Sequence, residues 1–388
     1  MGAALLVSGA GNYAFSTLLA HGLGPVGYGM IGAWLKVWQW LFIPVGVIPW
    51  LAIRSGSQLR EPVIWLAGLG VGGAGAAWMA TVPSLDLSAL GAALLGASVA
   101  PGMAAAVYVG RLERLRRYRA VAAVAAVGAV WSLGVAWAVT ASGHPRVSLA
   151  GGVLAGQALT YGVARRLAAG ANTQGWDGAG DARQAVGAVL ASLVLTLGQT
   201  LDGVWARITL PAAEAGQYGG MATVAHSLPY VAGGVATVLL SAALSGSPRQ
   251  SLPWLGRALG VYGVLAGAGL VLLRGYGSVL VNAVLGGDFA PVTGWLGSYG
   301  VAMAALGWVA IWLGWAVARG ELAVVAVALA GTIAWGWELS GAHDYRLMVV
   351  AGERVWLATA AAVTAVGLGL GVAARRGETA PRGWGKVP

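Results

Sequence analysis

The chain has 388 residues, of which 58% are hydrophobic and only 9% are charged, whereas about a quarter of the residues in soluble domains are charged. This composition excludes a soluble protein and indicates an integral membrane protein. About 20 apolar residues cross a hydrocarbon core of about 30 Å, so the chain has room for roughly twelve spans. The absence of cysteine excludes disulfides and thiolate chemistry.

Hydropathy predicts an all-α polytopic membrane protein. The twelve transmembrane helices are placed near residues 1–20, 30–53, 62–82, 87–110, 120–140, 148–164, 185–208, 218–244, 253–273, 291–318, 322–340 and 350–373. They form an N-terminal six-helix lobe (1–164) and a C-terminal six-helix lobe (185–373). A cytoplasmic linker (165–184) joins the lobes, and a cytoplasmic tail (374–388) follows them.

The basic residues are distributed asymmetrically between the two sides of these spans. One side holds seventeen of them, namely Arg54, Arg60, Arg111, Arg114, Arg116, Arg117, Arg119, Arg165, Arg166, Arg183, Arg249, Arg257, Arg319, Arg375, Arg376, Arg382 and Lys386; the other holds four, Arg146, Arg274, Arg346 and Arg354. Because basic loops are retained in the cytoplasm, this asymmetry predicts that both termini are cytoplasmic. The same rule explains the net charge of +10 without nucleic acid as a partner.

The two halves of the sequence are related by an offset of 190 residues, which superposes Tyr28 on Tyr218. Each tyrosine follows a Gly-containing stretch that is predicted to be a tight turn before a new span. The same offset pairs the intramembrane residues Asn12 with Asp202 and Lys36 with His226. Because each half has an even number of spans, the repeat is predicted to be parallel, with a pseudo-twofold axis along the membrane normal and a central cleft.

Two runs of sequence carry a resemblance to a known family. They are "LGPVGYG" (23–29) after the first helix and "TLDGVWARITLPAAEAGQYGGMATVAHSLPYVAGGVATVLLSAAL" (200–244), with weaker similarity in "RLERLRRY" (111–118) and "NAVLGGDFAPVTGWL" (282–296). They resemble the polysaccharide-biosynthesis, or oligosaccharidyl-lipid flippase, branch of the multidrug/oligosaccharidyl-lipid/polysaccharide (MOP) transporter superfamily. In that family the seventh helix similarly carries an aspartate, followed by an A-G-x-Y motif.

The resemblance implies a two-lobed flippase of the bacterial inner membrane. Its implied substrate is a polyprenyl-pyrophosphate-linked oligosaccharide, moved from the cytoplasmic to the outer leaflet, and its implied partners are membrane lipids and other proteins of envelope-glycan assembly. The uncharged first helix and the twelve spans, instead of fourteen, disfavour lipid II as the substrate. The alternatives are a cation-coupled multidrug exporter of the same superfamily and a membrane glycan polymerase or ligase; the short outer loops argue against the enzyme.

Helix seven carries polar residues at spacings that place them on one face: Ser192, Thr196, Gln199 and Asp202. This stripe is either the wall of a cavity or a helix–helix seam. Asp202 has a short side chain deep in the span, and it is predicted to face the cleft and meet Lys36, His226 or a coupling cation, or to form a structural ion pair. Arg207 points away from Asp202, so it is predicted either to line the cavity or to reach the outer headgroups.

Lys36 and His226 are the other ionisable candidates near the cleft. The Lys36 ammonium either contacts a substrate phosphate, pairs with Asp202 or reaches the membrane surface. His226 either couples transport to protons or is only hydrogen-bonded. Asn12 enters the cavity set as the counterpart of Asp202 in the repeat.

Three further residues are assigned to the cavity. Trp34 and Trp38 flank Lys36 in the sequence and are predicted either to stack on sugar rings or to belong to the aromatic belt and the packing. Glu338 follows a long apolar run above Thr332 and Trp335, on a candidate cavity face.

No motif of a nucleotide-driven pump or of an enzyme occurs in the chain. There is no Walker A loop, no dinucleotide-binding fingerprint, no H-E-x-x-H and no G-x-S-x-G. The sequence therefore predicts a non-enzymatic transporter with no bound cofactor or metal, driven by a H⁺ or Na⁺ gradient, by the membrane potential or by substrate supply.

Overall fold

In a bilayer every backbone polar group must be satisfied within the protein, which leaves helices as the natural form for a chain this apolar. The computed structural model describes residues 2–45, 48, 61–169, 182–244 and 248–376, and every regular element in these ranges is helical. The helices are α1 (Gly2–Leu41), α2 (Glu61–Thr81), α3 (Ala89–Ala97), α4 (Val99–Arg114), α5 (Tyr118–Ala141), α6 (Pro145–Leu167), α7 (Ala182–Thr209), α8 (Ala212–Ala225), α9 (Ser227–Leu244), α10 (Pro248–Gly275), α11 (Gly277–Val284), α12 (Leu296–Arg319), α13 (Leu322–Ser340) and α14 (Tyr345–Arg376).

The predicted twelve-span layout agrees with these helices. Nine helical segments of the described ranges are long and apolar enough to cross a membrane by length and composition. The two arms of α1 and the pair α8–α9 correspond to the other three predicted spans. Every regular element of the described ranges is helical, so the all-α fold class is confirmed. Helices α1–α6 correspond to the predicted first lobe and α7–α14 to the predicted second lobe, and we use these lobe names below.

Helix α1 covers residues 2–20 of the first predicted span and residues 30–41 of the second, and residues 46–47 and 49–53 of the second span lie outside the described residues. The predicted break between residues 21 and 29 is confirmed at Gly24, whose φ of 63° and ψ of −177° are not helical and divide α1 into two arms, although helical structure comes closer to this break on both sides than predicted. Glycine adopts this left-handed conformation without steric cost, and Pro25 next to it cannot donate a backbone hydrogen bond. The corresponding stretch before Tyr218 is also more helical than predicted, since α8 begins at Ala212 and the predicted span begins at residue 218. The repeat itself stays a prediction.

Several other boundaries differ from the predicted ones. The predicted span 87–110 consists of α3 and α4, which meet at Ser98. Helices α6 and α7 extend into the predicted linker as far as Leu167 and from Ala182, and residues 170–181 of that linker lie outside the described residues, as does the tail from 377. The linker and lobe boundaries therefore stay predictions.

Residues 277–295 form a short cap between α10 and α12 in place of the simple helix entry predicted there. The cap consists of α11 and a 3₁₀ helix, Gly287–Trp295. Phe289 is fully buried and packs edge-on against Tyr28 of the first lobe, with ring centroids 5.6 Å apart. The Gln217 amide of α8 donates to the Asp288 carbonyl at 2.9 Å. The cap therefore joins the two lobes where their second spans begin.

The lobes approach each other closely through glycines of α1 and α8. A Cβ atom on Gly216 would lie 1.8 Å from the Pro25 carbonyl oxygen, and one on Gly29 would lie 2.6 Å from the Gly216 Cα. Both obstacles are backbone atoms, which cannot rotate away as a side chain can. Glycine is therefore required at this crossing if the lobes are to pack as they do.

We expect Gly216→Ala to destabilise the protein by about 1–3 kcal/mol, because overpacking must shift the backbone at Pro25. The matched control is Gly219→Ala in the same helix, where a Cβ meets nothing within 4 Å and the better helix propensity of alanine makes the change neutral or stabilising. Thermal unfolding of the purified proteins measures both. Equal melting temperatures for the two variants would contradict the close contact.

Candidate functional site

The bend in α1 brings polar residues of both its arms to one place between the lobes. In a straight helix Asn12 and Lys36 would be about 36 Å apart. In the folded chain they line the same cavity, which has a volume of about 90 Å³. The second lobe completes the wall with residues of α7, α8 and α9. The lining residues are Asn12, Phe15, Ser16, Leu19, Tyr28, Ile31, Gly32, Leu35, Lys36, Gln39, Gln199, Thr200, Thr223, His226 and Tyr230.

Asp202 lies directly behind this wall and is fully buried. Its Oδ2 atom accepts hydrogen bonds from the hydroxyls of Tyr218, at 2.7 Å, and Tyr299. Its Oδ1 atom accepts from the backbone N–H of Gly203 at 2.6 Å. A buried carboxylate is tolerated only when such donors replace its hydration. The two tyrosines therefore hold Asp202 in place and separate it from the cavity.

Tyr299 also connects Asp202 to the cavity wall. Its hydroxyl lies 3.5 Å from the Nε2 atom of His226, and His226 lines the cavity. The three residues come from α12, α7 and the junction of α8 with α9. The arrangement forms a short polar chain from the cavity to the buried carboxylate.

Lys36 extends from α1 across the lobe interface towards α7. Its Nζ atom is buried and has no hydrogen-bond partner among the residues that the structure describes. No oxygen of Asp202 in the described structure comes within the 4.0 Å of an ion pair with it. The predicted alternative of a direct Lys36–Asp202 pair is therefore wrong in this conformation, although the two charges still attract each other.

Hydrogen bonds of the surrounding residues stiffen the same region. The Tyr28 hydroxyl lies 2.6 Å from Thr223 Oγ1, and the Tyr13 hydroxyl donates to the Val224 carbonyl at 3.0 Å. Further along, the Trp40 indole donates to Thr200 Oγ1 at 2.7 Å. Each of these bonds joins α1 to the second lobe, so the cavity is bounded by contacts between lobes on several sides.

The structure places both flanking tryptophans away from the cavity. Trp34 is fully buried and its indole donates to the Leu85 carbonyl at 2.5 Å. Trp38 donates to Ser98 Oγ at 2.7 Å and packs on Phe42. Neighbours two residues away on a helix point about 200° away from the residue between them. Their assignment to the cavity is therefore wrong, because both side chains face the interior of the first lobe while Lys36 faces the second.

Two other predicted cavity residues also lie elsewhere. Arg207 does not line the cavity, and its buried Nε atom finds no partner among the described residues. Glu338 forms an ion pair with Arg354 at 3.3 Å, in which the side chains are 44% and 68% exposed. The assignment of Glu338 to a cavity face is wrong because its carboxylate reaches outward to α14.

The exposed Glu338–Arg354 pair leads to a simple prediction. We expect Glu338→Gln to change the unfolding free energy by less than about 1 kcal/mol and to leave transport intact, because exposed ion pairs contribute little. A thermal melt and a transport assay at low and high salt measure this. Loss of transport in Glu338→Gln would show that Glu338 belongs to the functional site after all.

Four of the predicted residues, Asn12, Lys36, Gln199 and His226, line one cavity, with Asp202 immediately behind it. The sequence reasoning missed the residues that hold Asp202: Tyr218 was singled out only as the marker of a turn, and Tyr299 not at all. Gly203, which lies under the Lys36 side chain, was also missed. In the described ranges no cluster of acidic, histidine or cysteine side chains has the arrangement of a metal site.

Comparison with known proteins identifies the fold. No family model and no curated protein matches the sequence. An inward-facing multidrug resistance MATE family transporter of the MOP superfamily matches with 12% identity and a TM-score of 0.67, over 92% of this chain and 94% of that chain. An outward-facing transporter of the same family matches with 12% identity and a TM-score of 0.61, over 95% and 96%.

A MATE protein in complex with MaL6 matches with 13% identity and a TM-score of 0.65, over 96% of this chain and 97% of that chain. These proteins are similar along nearly their whole length, at an identity that supports a shared fold alone. The chain therefore has the fold of the MATE family transporters of the MOP superfamily.

Proposed function

We propose that this protein is a flippase that moves an anionic, lipid-linked oligosaccharide across a bacterial inner membrane by alternating access. The observation that carries the proposal is the Lys36 ammonium, which is buried at the cavity wall without a hydrogen-bond partner in the described structure. A buried ammonium costs several kcal/mol unless it is paired. A pyrophosphate group would supply the missing negative charge and hydrogen-bond acceptors.

The charge of the cavity argues against a cationic substrate. None of the residues that line it is acidic, and the nearby Asp202 is enclosed by two tyrosines. An exporter of cationic drugs needs an accessible carboxylate, and a lysine at the site would repel its substrate. The multidrug exporter is nevertheless the second candidate, because the similar structures include multidrug resistance transporters.

The remaining cavity residues suit a sugar. The amides of Asn12, Gln39 and Gln199 and the hydroxyls of Ser16 and Thr200 belong to the lining. Amides both donate and accept hydrogen bonds, as sugar hydroxyl groups require. A basic group beside neutral polar groups is the combination expected for a phosphate followed by a glycan.

The size of the cavity requires movement of the lobes. Its volume of about 90 Å³ is far below the roughly 300–1,000 Å³ of sites that enclose a ligand. Any such substrate must therefore separate the lobes before it enters, and the interlobe contacts described above must open. This requirement supports alternating access. The cytoplasmic position of both termini is proposed from the distribution of basic residues alone.

The polar chain from His226 through Tyr299 to Asp202 supports H⁺ as the coupling ion. A proton that enters from the cavity has a route to the buried carboxylate without crossing lipid. Na⁺ coupling has weaker support, because Asp202 is already saturated by protein donors. The proposed partners are the lipid-linked glycan, membrane lipids and other proteins of envelope-glycan assembly.

The test is leaflet-resolved transport of a polyprenyl-pyrophosphate glycan in proteoliposomes. We expect the protein to move this lipid, and Lys36→Met to abolish the movement. A second arm measures the uptake of a quaternary-ammonium drug under an imposed proton gradient. Movement of the drug without movement of the glycan lipid would refute the flippase and establish the exporter.

A further inference from the structure

Gly203 allows the Lys36 side chain to lie directly on α7. A Cβ atom at position 203 would be 1.8 Å from Lys36 Nζ and 2.7 Å from both Cδ and Cε. Lys36 belongs to the first lobe and Gly203 to the second. We call this arrangement the Lys36–Gly203 contact, and it is available only to a residue without a side chain.

The contact accommodates the Lys36 ammonium sterically but provides no hydrogen-bond partner for it. The backbone carbonyls of a helix are already used, and the Nζ atom is unpaired among the described residues. Asp202 is the neighbouring residue in α7 and attracts Lys36 electrostatically, but both of its oxygens accept hydrogen bonds from other groups. The ammonium is therefore held by the shape of the contact and by its attraction to Asp202, and it makes no hydrogen bond with the described residues in this position.

We propose that Gly203 is a positioning residue that holds Lys36 against the second lobe while the cavity is empty, and that a phosphate group in the cavity draws Lys36 away and so loosens the contact between the lobes. The second part rests on the proposed function, because it takes the phosphate of the substrate as the ligand. A ligand shifts a conformational equilibrium only by binding one state better than the other. Here the difference is the set of hydrogen bonds that Lys36 makes with phosphate and lacks on Gly203.

The variant Gly203→Ala should prevent Lys36 from lying against α7 and leave it only the position in the cavity. Its methyl group occupies the space of the Lys36 chain end, which is flexible and can move into the cavity without displacing backbone. The matched control is Gly219→Ala, at a glycine of α8 that does not line the cavity and where a Cβ meets nothing within 4 Å. Inorganic pyrophosphate serves as the probe, with protein in lipid nanodiscs.

Two lysines occur in the sequence, Lys36 and Lys386, so the amine reactivity of Lys36 is measurable by peptide mass spectrometry with Lys386 as the reference. We expect Gly203→Ala to raise the reactivity of Lys36 several-fold and to tighten pyrophosphate binding several-fold. Gly219→Ala should change neither. Unchanged reactivity in Gly203→Ala, or the same increase in Gly219→Ala, would refute the contact.

A double-mutant cycle with Lys36→Ala tests whether Gly203 acts through Lys36. With Lys36 present, Gly203→Ala should leave the melting temperature unchanged or lower it. With Lys36 removed, it should raise the melting temperature, because alanine favours the helix. Equal shifts in both backgrounds would show that Gly203 acts independently of Lys36.

The measurements with pyrophosphate test whether a phosphate group draws Lys36 away from Gly203. If Gly203→Ala weakens binding as strongly as Lys36→Ala, or if pyrophosphate binds neither the wild type nor Gly203→Ala, release of Lys36 by phosphate is refuted. If Gly203→Ala raises the reactivity of Lys36 and tightens pyrophosphate binding as expected, but the wild type moves no glycan lipid, the Lys36–Gly203 contact remains established and the flippase proposal alone fails.

Discussion

Replacing Asp202 by alanine is expected to lower the unfolding free energy by about 3 kcal/mol, because two buried tyrosine hydroxyls lose their acceptor. Tyr218 and Tyr299 are both fully buried, so water cannot take the place of the carboxylate. The loss of negative charge also leaves Lys36 without its electrostatic attraction in α7. A thermal melt followed by tryptophan fluorescence measures the shift.

The matched control is Asp202→Asn, which keeps an oxygen acceptor of the same size and removes only the charge. We expect a smaller loss of stability than in Asp202→Ala. If H⁺ coupling passes through this carboxylate, Asp202→Asn should also abolish transport driven by a proton gradient. Asp202→Ala with the melting temperature of the wild type would contradict the role of the two tyrosine hydrogen bonds.

Replacing Lys36 by methionine is expected to have opposite effects on stability and binding. The change removes an unpaired buried ammonium and keeps the length of the side chain, so the melting temperature should stay the same or rise. Pyrophosphate affinity should fall by about 100-fold, the effect of losing about 3 kcal/mol of charged hydrogen bonding. Calorimetric titration with pyrophosphate measures the affinity, and the same sample gives the melt.

Lys36→Arg is the control that retains the charge. A guanidinium group binds phosphate but is wider than an ammonium. The Lys36→Arg variant should therefore keep measurable affinity for pyrophosphate, while its side chain no longer fits against Gly203. Unchanged pyrophosphate affinity in Lys36→Met would remove the main support for an anionic substrate.

The closeness of Lys36 to Gly203 and the narrowness of the cavity have one common cause. Helix α1 lies against α7 and α8 with glycines at the crossings. Gly29 and Gly216 let the backbones of α1 and α8 approach each other, and Gly203 lets the Lys36 side chain lie on the backbone of α7, so little space remains between the lobes. The structure therefore describes the protein with its central cavity contracted. The cap of residues 277–295 adds to this closure, because Phe289 packs against Tyr28 across the interface.

Much of the candidate site was predictable because polar groups are costly in lipid. This cost makes Lys36, Asp202 and His226 conspicuous, and helical periodicity correctly separated Asp202 from Arg207. The donors to Asp202 were not predictable. A buried carboxylate requires donors, but the chain has eleven tyrosines, and only the packing of α8 and α12 around α7 selects Tyr218 and Tyr299.

The errors at Trp34, Trp38 and Glu338 have a related origin. Closeness in sequence suggested that the tryptophans share the surroundings of Lys36, whereas the helix turns them to the opposite side. The position of Glu338 in its helix did not reveal Arg354, which lies sixteen residues further on and becomes a neighbour only when α13 and α14 pack together. The predicted turn before Tyr28 is shorter than expected, because the helical backbone is interrupted at Gly24 and helical structure continues on both sides of it.

The sequence by itself determined that this protein is a helical membrane protein and predicted twelve crossings, because hydrophobic length and the need to satisfy the backbone leave few other solutions. It also determined which residues are too polar to face lipid. Only the tertiary structure decided which of them meet: the bend at Gly24 brings Asn12 and Lys36 to one cavity, and the glycine at 203 brings Lys36 onto the second lobe. These are contacts between distant segments, and their geometry depends on how whole helices cross.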